Sequence, residues 1–290
     1  MTRLVGSEHA LSTQLIGRAV LQACAELLTQ HRIQVMPLKG IWLHEVVYGH
    51  AADREGRVIS DVDVLVEPGK YRQAGRVLAQ AGWHLEGSSR TEACYQQPGM
   101  PLPLDLHASL YTPGAYRMPS GPLFARGRFD DKTFGVPVMM PDPLDVLAHL
   151  VGHAAKSGNA WCKQGHELRD IPRMASVLQL APERCAERLH RLGLARAARW
   201  VLPLTAANDP AGFGPAVLRA LPPDPLGERL SRATSFVQGH LPAPSRVSAL
   251  VGFALDSSLV RGGYALTLRA ADKLADRLLV SARRMHVHTG

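Results

Sequence analysis

The stretch that decides the fold is Ser60-Asp61-Val62-Asp63-Val64-Leu65-Val66. Its β-branched and apolar residues, within the wider segment 58–66, are typical of a β-strand. Alternate residues of a strand point to the same face, so Asp61 and Asp63 are expected to share one face. Two carboxylates this close repel each other unless a cation lies between them, and hard oxygen ligands suit Mg²⁺ or Mn²⁺. The pattern predicts a divalent metal site, with an exposed polar strand face as the alternative.

A third acidic residue follows in a second strand-like segment, Pro103-Leu104-Asp105-Leu106-His107. If this segment lies beside residues 58–66, Asp105 converges with Asp61 and Asp63 on one sheet face. Carboxylates arranged in this way hold two metal ions roughly 3.5–4 Å apart in enzymes that displace phosphoryl groups in line. His107 shares the face of Asp105 and is expected to contact a phosphate or the acceptor. A hydrogen-bonded strand end and a structural histidine are the alternatives for these two residues.

Upstream, the chain passes from a predicted strand at 33–38 into a helix through Lys39-Gly40. A glycine at such a turn lets the backbone approach a phosphate, and the helix N-terminus adds positive potential. Lys39 would add a point charge for a triphosphate. Arg57 precedes Asp61 by one short segment and is expected to reach the same phosphates. An ordinary surface lysine is the alternative for Lys39.

These residues resemble the nucleotidyltransferase superfamily with the DNA polymerase beta type of palm, and most of all the uncharacterised nucleotidyltransferase family 5. The sequence is similar, more distantly, to abortive-infection nucleotidyltransferase toxins. The matching elements are Lys39-Gly40, Tyr48, Arg57, Ser60-Asp61-Val62-Asp63, Asp105-Leu106-His107, His149-Leu150-Val151-Gly152-His153-Ala154 and His166-Glu167-Leu168-Arg169-Asp170. The sequence departs from the superfamily at the turn, where Ile41 follows Gly40 in place of a second small residue.

The resemblance implies transfer of a nucleoside monophosphate from a nucleoside triphosphate to a hydroxyl or other acceptor, with release of pyrophosphate. Under it, Asp61 and Asp63 ligate both metal ions, Mg²⁺ or Mn²⁺, and Asp105 ligates the catalytic one and helps to deprotonate the acceptor. The implied nucleotide-binding residues are Lys39, Gly40, Arg57, Ser60 and His107. The acceptor is a peptide or protein, an RNA or a small molecule.

Two other functions stay open at this point. One is a non-catalytic module that binds nucleotide or RNA and acts as an antitoxin or regulator, and the other is a metal-dependent phosphohydrolase. Replacing Asp61 or Asp63 with Asn is expected to abolish transfer. The same change is expected to raise the melting temperature without metal, because it relieves repulsion between carboxylates.

Composition places the chain among ordinary globular proteins. Its 290 residues are 46% hydrophobic and 20% charged, which excludes wholesale disorder. The net charge of +8 favours anionic partners such as nucleotides or RNA without choosing among them. No apolar run approaches the length of a membrane span, about 18 residues, and the first residues lack an apolar signal-peptide core. No membrane partner and a cytoplasmic location are therefore expected.

Periodicity divides the chain near residue 140. Residues 1–140 mix helical and strand patterns and are expected to form a nucleotidyltransferase-like α/β domain with a long loop at 111–128. From Asp142, an N-cap followed by Pro143, most of the chain to residue 290 has helical periodicity. The predicted fold class is α+β: a small mixed β-sheet palm with flanking helices, then an all-helical domain, 141–290, that closes the cleft.

Two histidines and an aspartate in the helical half have open roles. His149 and His153 are four residues apart and share a helix face. A zinc site is not favoured because no third soft ligand is evident. Packing against the α/β half, with one histidine lining the cleft, is preferred. Asp170 is expected either to hold a hydrogen bond or an arginine between the halves, or to be solvated.

A basic stripe on the last predicted helix suggests a further partner. Arg269, Lys273 and Arg277 recur with helical spacing. The stripe predicts a contact with RNA or an acidic protein. A solvated helix face is the favoured alternative, because no aromatic residues are interleaved with the charges.

Overall fold

The architecture is described from a computed structural model over residues 2–49, 57–112, 115–157 and 165–240, with side chains described between residues 9 and 233 of these ranges. The basic stripe of Arg269, Lys273 and Arg277 lies outside the described residues. The same holds for most of the loop that the sequence predicts at 50–58.

The described residues alternate helices with short strands and then become helical. The helices are α1 (Thr2–Gln30), α2 (Lys39–Leu43), α3 (Tyr71–Gln80), α4 (Ser120–Arg126), α5 (Pro143–Ser157), α6 (Glu167–Val177), α7 (Pro182–Arg191), α8 (Ala195–Leu204), α9 (Phe213–Ala220) and α10 (Pro225–His240). The strands are β1 (Val35–Pro37), β2 (Val62–Val66), β3 (His84–Ser88), β4 (Glu92–Gln96), β5 (Leu104–His107), β6 (Arg128–Asp130) and β7 (Val138–Met140). A π-helical turn, His44–Tyr48, extends α2, and a 3-10 turn, Ala206–Asn208, follows α8.

Five strands form one mixed sheet in the order β1-β2-β5-β4-β3. Strand β2 is antiparallel to β1 and parallel to β5, while β4 is antiparallel to both β5 and β3. Strands β6 and β7 form a separate antiparallel pair, and β7 contacts β1. The fold is therefore α+β with a small mixed sheet, flanking helices and a helical C-terminal region, which confirms the predicted fold class.

Strand β2 is buried along its whole length, since it lies between β1 and β5 and is covered by α1 and α2. Its sequence is apolar on both faces except at Asp63, which is 1% exposed. A carboxylate at such a position is costly unless hydrogen bonds or opposite charges compensate it. Asp63 of β2 therefore requires hydrogen-bonding or oppositely charged partners inside the fold.

The segment predicted as a loop at 111–128 contains regular structure instead. It includes α4 and the first residue of β6. Leu123 and Phe124 are buried, so packing selects the helix although the local sequence is rich in turn residues. Pro122 is tolerated because it stands in the first helical turn, where backbone N–H groups have no helical partner.

Helix α5 begins as the sequence predicts. The backbone N–H of Leu144 donates to Asp142 Oδ1 at 2.8 Å, which makes Asp142 the N-cap. Buried apolar side chains form one cluster that runs from Val20 to Leu221 and so includes both halves. A division into separate domains at residue 140 stays a prediction. Among the described helices, none combines the length and the apolarity that crossing a bilayer requires.

Candidate active site

Three carboxylates converge where β2 and β5 lie side by side. Asp63 of β2 is paired with Asp105 of β5 in the parallel register, and Asp61 comes one residue before β2. One oxygen from each of the three lies within 4.8 Å of the others. Among the described residues this is the one group of three or more His, Cys, Asp or Glu side chains with metal-binding geometry. The convergence expected from the two strand segments is therefore present.

The carboxylates raise one another's proton affinity. Burial is the main cause that raises the pKa of Asp61, and the nearby charge of Asp63 is the second. The same two causes, in the same order, raise the pKa of Asp105. Repulsion of this kind is relieved when a cation binds between the acids.

Asp63 differs because a lysine and a histidine compensate its charge. Lys39 Nζ lies 2.6 Å from Asp63 Oδ1, and His107 Nε2 lies 2.9 Å from the same oxygen. Burial acts to raise the pKa of Asp63, but the charge of Lys39 and the hydrogen bond with His107 outweigh it, so the pKa is lowered. Asp63 is therefore ionised inside the fold, and its carboxylate fixes the positions of the Lys39 and His107 side chains.

The turn that carries Lys39 is tied to the same strand. The backbone N–H of Leu38 donates to the carbonyl oxygen of Asp63 at 3.0 Å. Lys39 has φ +44°, in the left-handed region that non-glycine residues rarely adopt. Strain of this kind is concentrated at functional sites, where the surrounding structure holds the residue in place. The strained turn delivers the Lys39 ammonium to the acid cluster.

Gly40 makes room for an arginine. A Cβ atom at Gly40 would lie only 2.6 Å from a terminal nitrogen of Arg57, so the guanidinium packs directly over the glycine backbone. Arg57 Nε is 2.9 Å from Asp170 Oδ2 of α6, and the hydroxyl of Tyr48 donates to Asp170 Oδ1. Asp170 has no exposed surface. Of the two expectations for Asp170, holding an arginine between the halves is therefore the one observed.

Ser60 and His107, the two remaining residues implied in nucleotide binding, also lie at the cluster. Ser60 Oγ donates to Asp61 Oδ1 at 3.1 Å at an exposed position. His107 bridges two acids, because its Nδ1 lies 3.6 Å from Glu92 Oε2 while its Nε2 contacts Asp63. Both side chains can therefore orient carboxylates, and their contact with a nucleotide stays a prediction.

Strand β4 adds two residues that the motif analysis missed. Glu92 is paired with His107, and Cys94 with Asp105, in the antiparallel register between β4 and β5. Burial raises the pKa of Cys94 to about 11, and its hydrogen bond to Asp105 adds to the shift. The alternation of Glu92 and Cys94 in the sequence was the available signal. It could not be used without knowing that β4 lies beside β5.

Among the described residues, the histidines of α5 belong to no group with metal-binding geometry. The rings of His149 and His153 are 5.8 Å apart between centroids. His153 Nδ1 is instead 2.7 Å from Glu167 Oε1, and His149 Nδ1 is 3.2 Å from the hydroxyl of Tyr111. Asp145, which precedes His149 by one helical turn, is occupied by Arg126 and Arg188.

Together, three acids on neighbouring strands and a lysine–glycine turn define the class of protein as nucleotidyltransferase-like. The sequence profile described as uncharacterised nucleotidyltransferase matches residues 8–208. The chain belongs to this family, which confirms the resemblance drawn from the motifs.

Wider comparisons add little to this assignment. No curated protein matches the sequence significantly. One solved structure, a tRNA-processing enzyme in an apo form, shares 12% identity, and the match covers 87% of this chain and 74% of that chain with a TM-score of 0.27. A superposition of this quality says nothing about substrate or mechanism.

Proposed function

We propose that the protein is a metal-dependent nucleotidyltransferase that moves a nucleoside monophosphate from a nucleoside triphosphate to an acceptor and releases pyrophosphate. The observation that carries the proposal is the convergence of Asp61, Asp63 and Asp105 within 4.8 Å, in a chain of a nucleotidyltransferase family. The acceptor is a peptide or protein, an RNA or a small molecule.

The donor set fits a hard divalent cation. All three candidate ligands are carboxylates, which suit Mg²⁺ or Mn²⁺ better than softer metals. Asp61, Asp63 and Asp105 would hold the metal. Once bound, it would supply charge neutralisation and polarisation of the phosphoryl oxygens. Burial raises the pKa of Asp61 and of Asp105, and the charge of Asp63 adds to both shifts, so a cation bound among the three acids would relieve their repulsion.

Two cationic side chains support a phosphate position beside the cluster. Lys39 is held at Asp63 with its side chain 18% exposed, and Arg57 packs over Gly40 at the start of α2. A triphosphate would draw the flexible Lys39 ammonium away from Asp63. Arg57 would donate from a guanidinium that Asp170 already orients, so less conformational freedom is lost on binding. Lys39, Gly40, Arg57 and Ser60 would thus form the phosphate side of the cleft, with His107 behind Asp63.

Chemistry at the cluster requires a proton acceptor and a leaving group. An acceptor hydroxyl would attack the α-phosphorus, forming a new P–O bond while the bond to pyrophosphate breaks. Asp105, the residue to which the family resemblance gives this role, is half-buried with a raised pKa and would accept the hydroxyl proton. The remaining groups position substrates and neutralise charge, which is most of what phosphoryl transfer demands. Helix α5 would form the opposite wall of the cleft near His149, and α6 would support it through Asp170, which holds Arg57 from within the fold.

The test uses two positions of the label. Purified protein with Mg²⁺ or Mn²⁺ is incubated in lysate with nucleoside triphosphates carrying label at the α- or γ-phosphate. Transfer of α-label to a resolvable species, with γ-label recovered in pyrophosphate, is the expected result. Free γ-phosphate without an adduct would indicate a phosphohydrolase, and nucleotide binding without turnover would indicate a non-catalytic module. Either result overturns the proposal, and an Asp61→Asn variant controls for contaminating enzymes.

A further inference from the structure

His149 is a buried histidine whose hydrogen-bond partners determine its tautomer. The hydroxyl of Tyr111 donates to the backbone oxygen of His149 at 3.0 Å and lies 3.2 Å from His149 Nδ1. A tyrosine hydroxyl has one proton, so its oxygen can only accept from the imidazole. Burial raises the pKa of Tyr111 well above its usual value, which keeps that proton in place. Nδ1 of His149 therefore carries the ring hydrogen.

The position of Tyr111 is itself specified by α5. A Cβ atom at Gly152 would overlap the Tyr111 hydroxyl, so only glycine leaves space for it there. The rings of Tyr111 and His149 meet edge to face with centroids 5.6 Å apart. The geometry that sets the tautomer thus depends on packing on two sides of the tyrosine.

The other ring nitrogen of His149 is left with a lone pair and no donor. His149 is 3% exposed, and Nε2 is fully buried with no hydrogen-bond partner among the described residues. A buried polar atom without a partner costs free energy comparable to a lost hydrogen bond. A buried polar atom of this kind calls for an explanation, and a donor group supplied by a bound ligand is one that its place near the acid cluster favours.

The charges that act on the His149 ring are those of the acid cluster. Burial lowers the pKa of His149 well below its usual value, and the charge of Lys39 lowers it further. Asp63 opposes this shift, while His153 and His107 add to it. The imidazole is therefore neutral at neutral pH, and it lies close enough to Lys39 and Asp63 to be affected by both.

We propose that His149 Nε2 accepts a hydrogen bond from a hydroxyl or amino group of a substrate held at the Asp61, Asp63 and Asp105 cluster. The inference rests on the proposed function and adds a substrate-binding residue from α5. A lone pair attracts a donor and repels phosphate oxygens, so the partner is the acceptor nucleophile or a donor group of the nucleotide, not the triphosphate. Because Nε2 is buried, this contact requires the structure beside His149 to open when the substrate binds.

The first test requires no activity. Nitrogen-15 NMR of the metal-free protein at neutral pH, assigned with His149→Gln, is expected to show a neutral His149 with hydrogen on Nδ1. Tyr111→Phe removes the acceptor that the described residues offer to that hydrogen and is expected to abolish the tautomer preference. A hydrogen on Nε2, or an imidazolium, would overturn the inference whatever the enzyme does.

The second test measures how much the hydrogen bond to His149 contributes to turnover. His149→Leu is expected to lower turnover roughly tenfold, the effect of one neutral hydrogen bond. His149→Gln retains an acceptor near the Nε2 position and is expected to restore most of the rate. His153→Gln, one turn along α5, is the matched control and should change little. Turnover of His149→Leu equal to wild type would overturn the inference.

Binding of α,β-methylene analogues of the four nucleoside triphosphates, with Mg²⁺, locates the donor. Weaker binding to His149→Leu places it on the nucleotide, and the 2′- or 3′-deoxy analogue lacking it will be insensitive to the change. Unchanged analogue binding with slower turnover places it on the acceptor. If wild-type protein transfers nothing, the proposed function fails by itself. The inference then fails as well if no analogue perturbs the Nε2 resonance, and survives if one does.

Discussion

Asp63 and Asp145 are both buried acids, at 1% and 2% exposure, in very different surroundings. Asp145 has one arginine for each oxygen: Arg126 Nε is 2.7 Å from Oδ2, and Arg188 pairs with Oδ1. At Asp63 a lysine and a histidine share Oδ1, and two further carboxylates lie within 4.8 Å. At the first site the two arginines are balanced by Asp145 and by Asp142, which lies 3.5 Å from Arg188, whereas the second site accumulates acids.

The difference in charge balance distinguishes the structural ion pairs of Asp145 from the acid cluster around Asp63, where a cation would be stabilised. The two arginines at Asp145 come from α4 and α7, and Asp145 itself lies in α5, so this network links three helices. Its carboxylate is already paired at both oxygens, so another cation would not be stabilised there. In the acid cluster, burial and then repulsion from Asp63 raise the pKa of Asp61 and of Asp105. Unbalanced charge of this kind is characteristic of functional sites.

The largest expected effect comes from Asp63→Asn at the unbalanced site. Even residues that only orient metal ligands cost about 10–100-fold when mutated, so loss of a ligand should lower transfer at least about 100-fold. Initial rates with saturating Mg²⁺ or Mn²⁺ measure this effect. Circular dichroism must show an intact fold for the comparison to hold. Full activity in a folded Asp63→Asn protein would show that the cluster is not the active site.

At the balanced site, Arg188→Met should affect stability and leave turnover per folded molecule unchanged. Removing one partner of a buried ion pair leaves Asp145 with Arg126 alone, which should lower the free energy of unfolding by about 3 kcal/mol. Urea denaturation measures the change. Arg191→Met is the matched control, because its pair with Glu187 is exposed on both sides and should contribute less than about 1 kcal/mol. Equal effects of the two changes would contradict the structural role of Asp145.

Gly40→Ala tests the connection between the turn and Asp170. The new Cβ would overlap the Arg57 guanidinium, so KM for the nucleoside triphosphate should rise about tenfold, the effect of one charge-assisted hydrogen bond. The effect should disappear in an Arg57→Ala background. Gly121→Ala in α4 has ordinary spacing around its Cβ, 3.8 Å to Pro68, and serves as the control. If Gly40→Ala still raised KM in a protein without Arg57, the cause would be a change in the backbone of the turn and not displacement of the guanidinium.

The smallest effects concern the melting temperature without metal. The sequence predicted a rise for replacement of either Asp61 or Asp63, but the structure predicts opposite signs for these two changes. Asp61→Asn and Asp105→Asn should raise it by on the order of 2–4 °C, because each relieves repulsion. Asp63→Asn should lower the melting temperature by a similar amount, because it removes a carboxylate whose ionised form Lys39 and His107 stabilise. The expected rise is therefore withdrawn for Asp63. Differential scanning calorimetry distinguishes the two signs.

The pH dependence follows from the same pKa directions. A lowered pKa means that the carboxylate of Asp63 stabilises the fold above its unfolded pKa, about 4, and loses this contribution as pH falls further. Raised pKa values mean that ionised Asp61 and Asp105 destabilise the fold at neutral pH. This penalty begins to shrink as pH falls through their folded pKa values, and it vanishes below their unfolded pKa, about 4. The differences between wild type and all three variants should therefore shrink in acid, and differences that persist there would require another cause.

Local sequence pattern was sufficient for several parts of this molecule. The apolar run after Asp61 predicted β2, and Asp142 followed by Pro143 predicted the start of α5. These succeed because periodicity and capping depend on neighbouring residues. The helix α4 was missed because buried Leu123 and Phe124 select it through contacts distant in sequence.

The sequence by itself determined which residue types could bind metal and phosphate, since strand alternation places Asp61 and Asp63 on one face and family motifs mark Lys39 and Asp105. Only the tertiary structure decided how they are arranged. The register of β2 against β5 brings Asp105 to Asp63, Asp170 turns Arg57 over Gly40, and Tyr111 fixes the tautomer of His149. These contacts join distant segments, and their geometry depends on how the whole core packs, which no local pattern encodes.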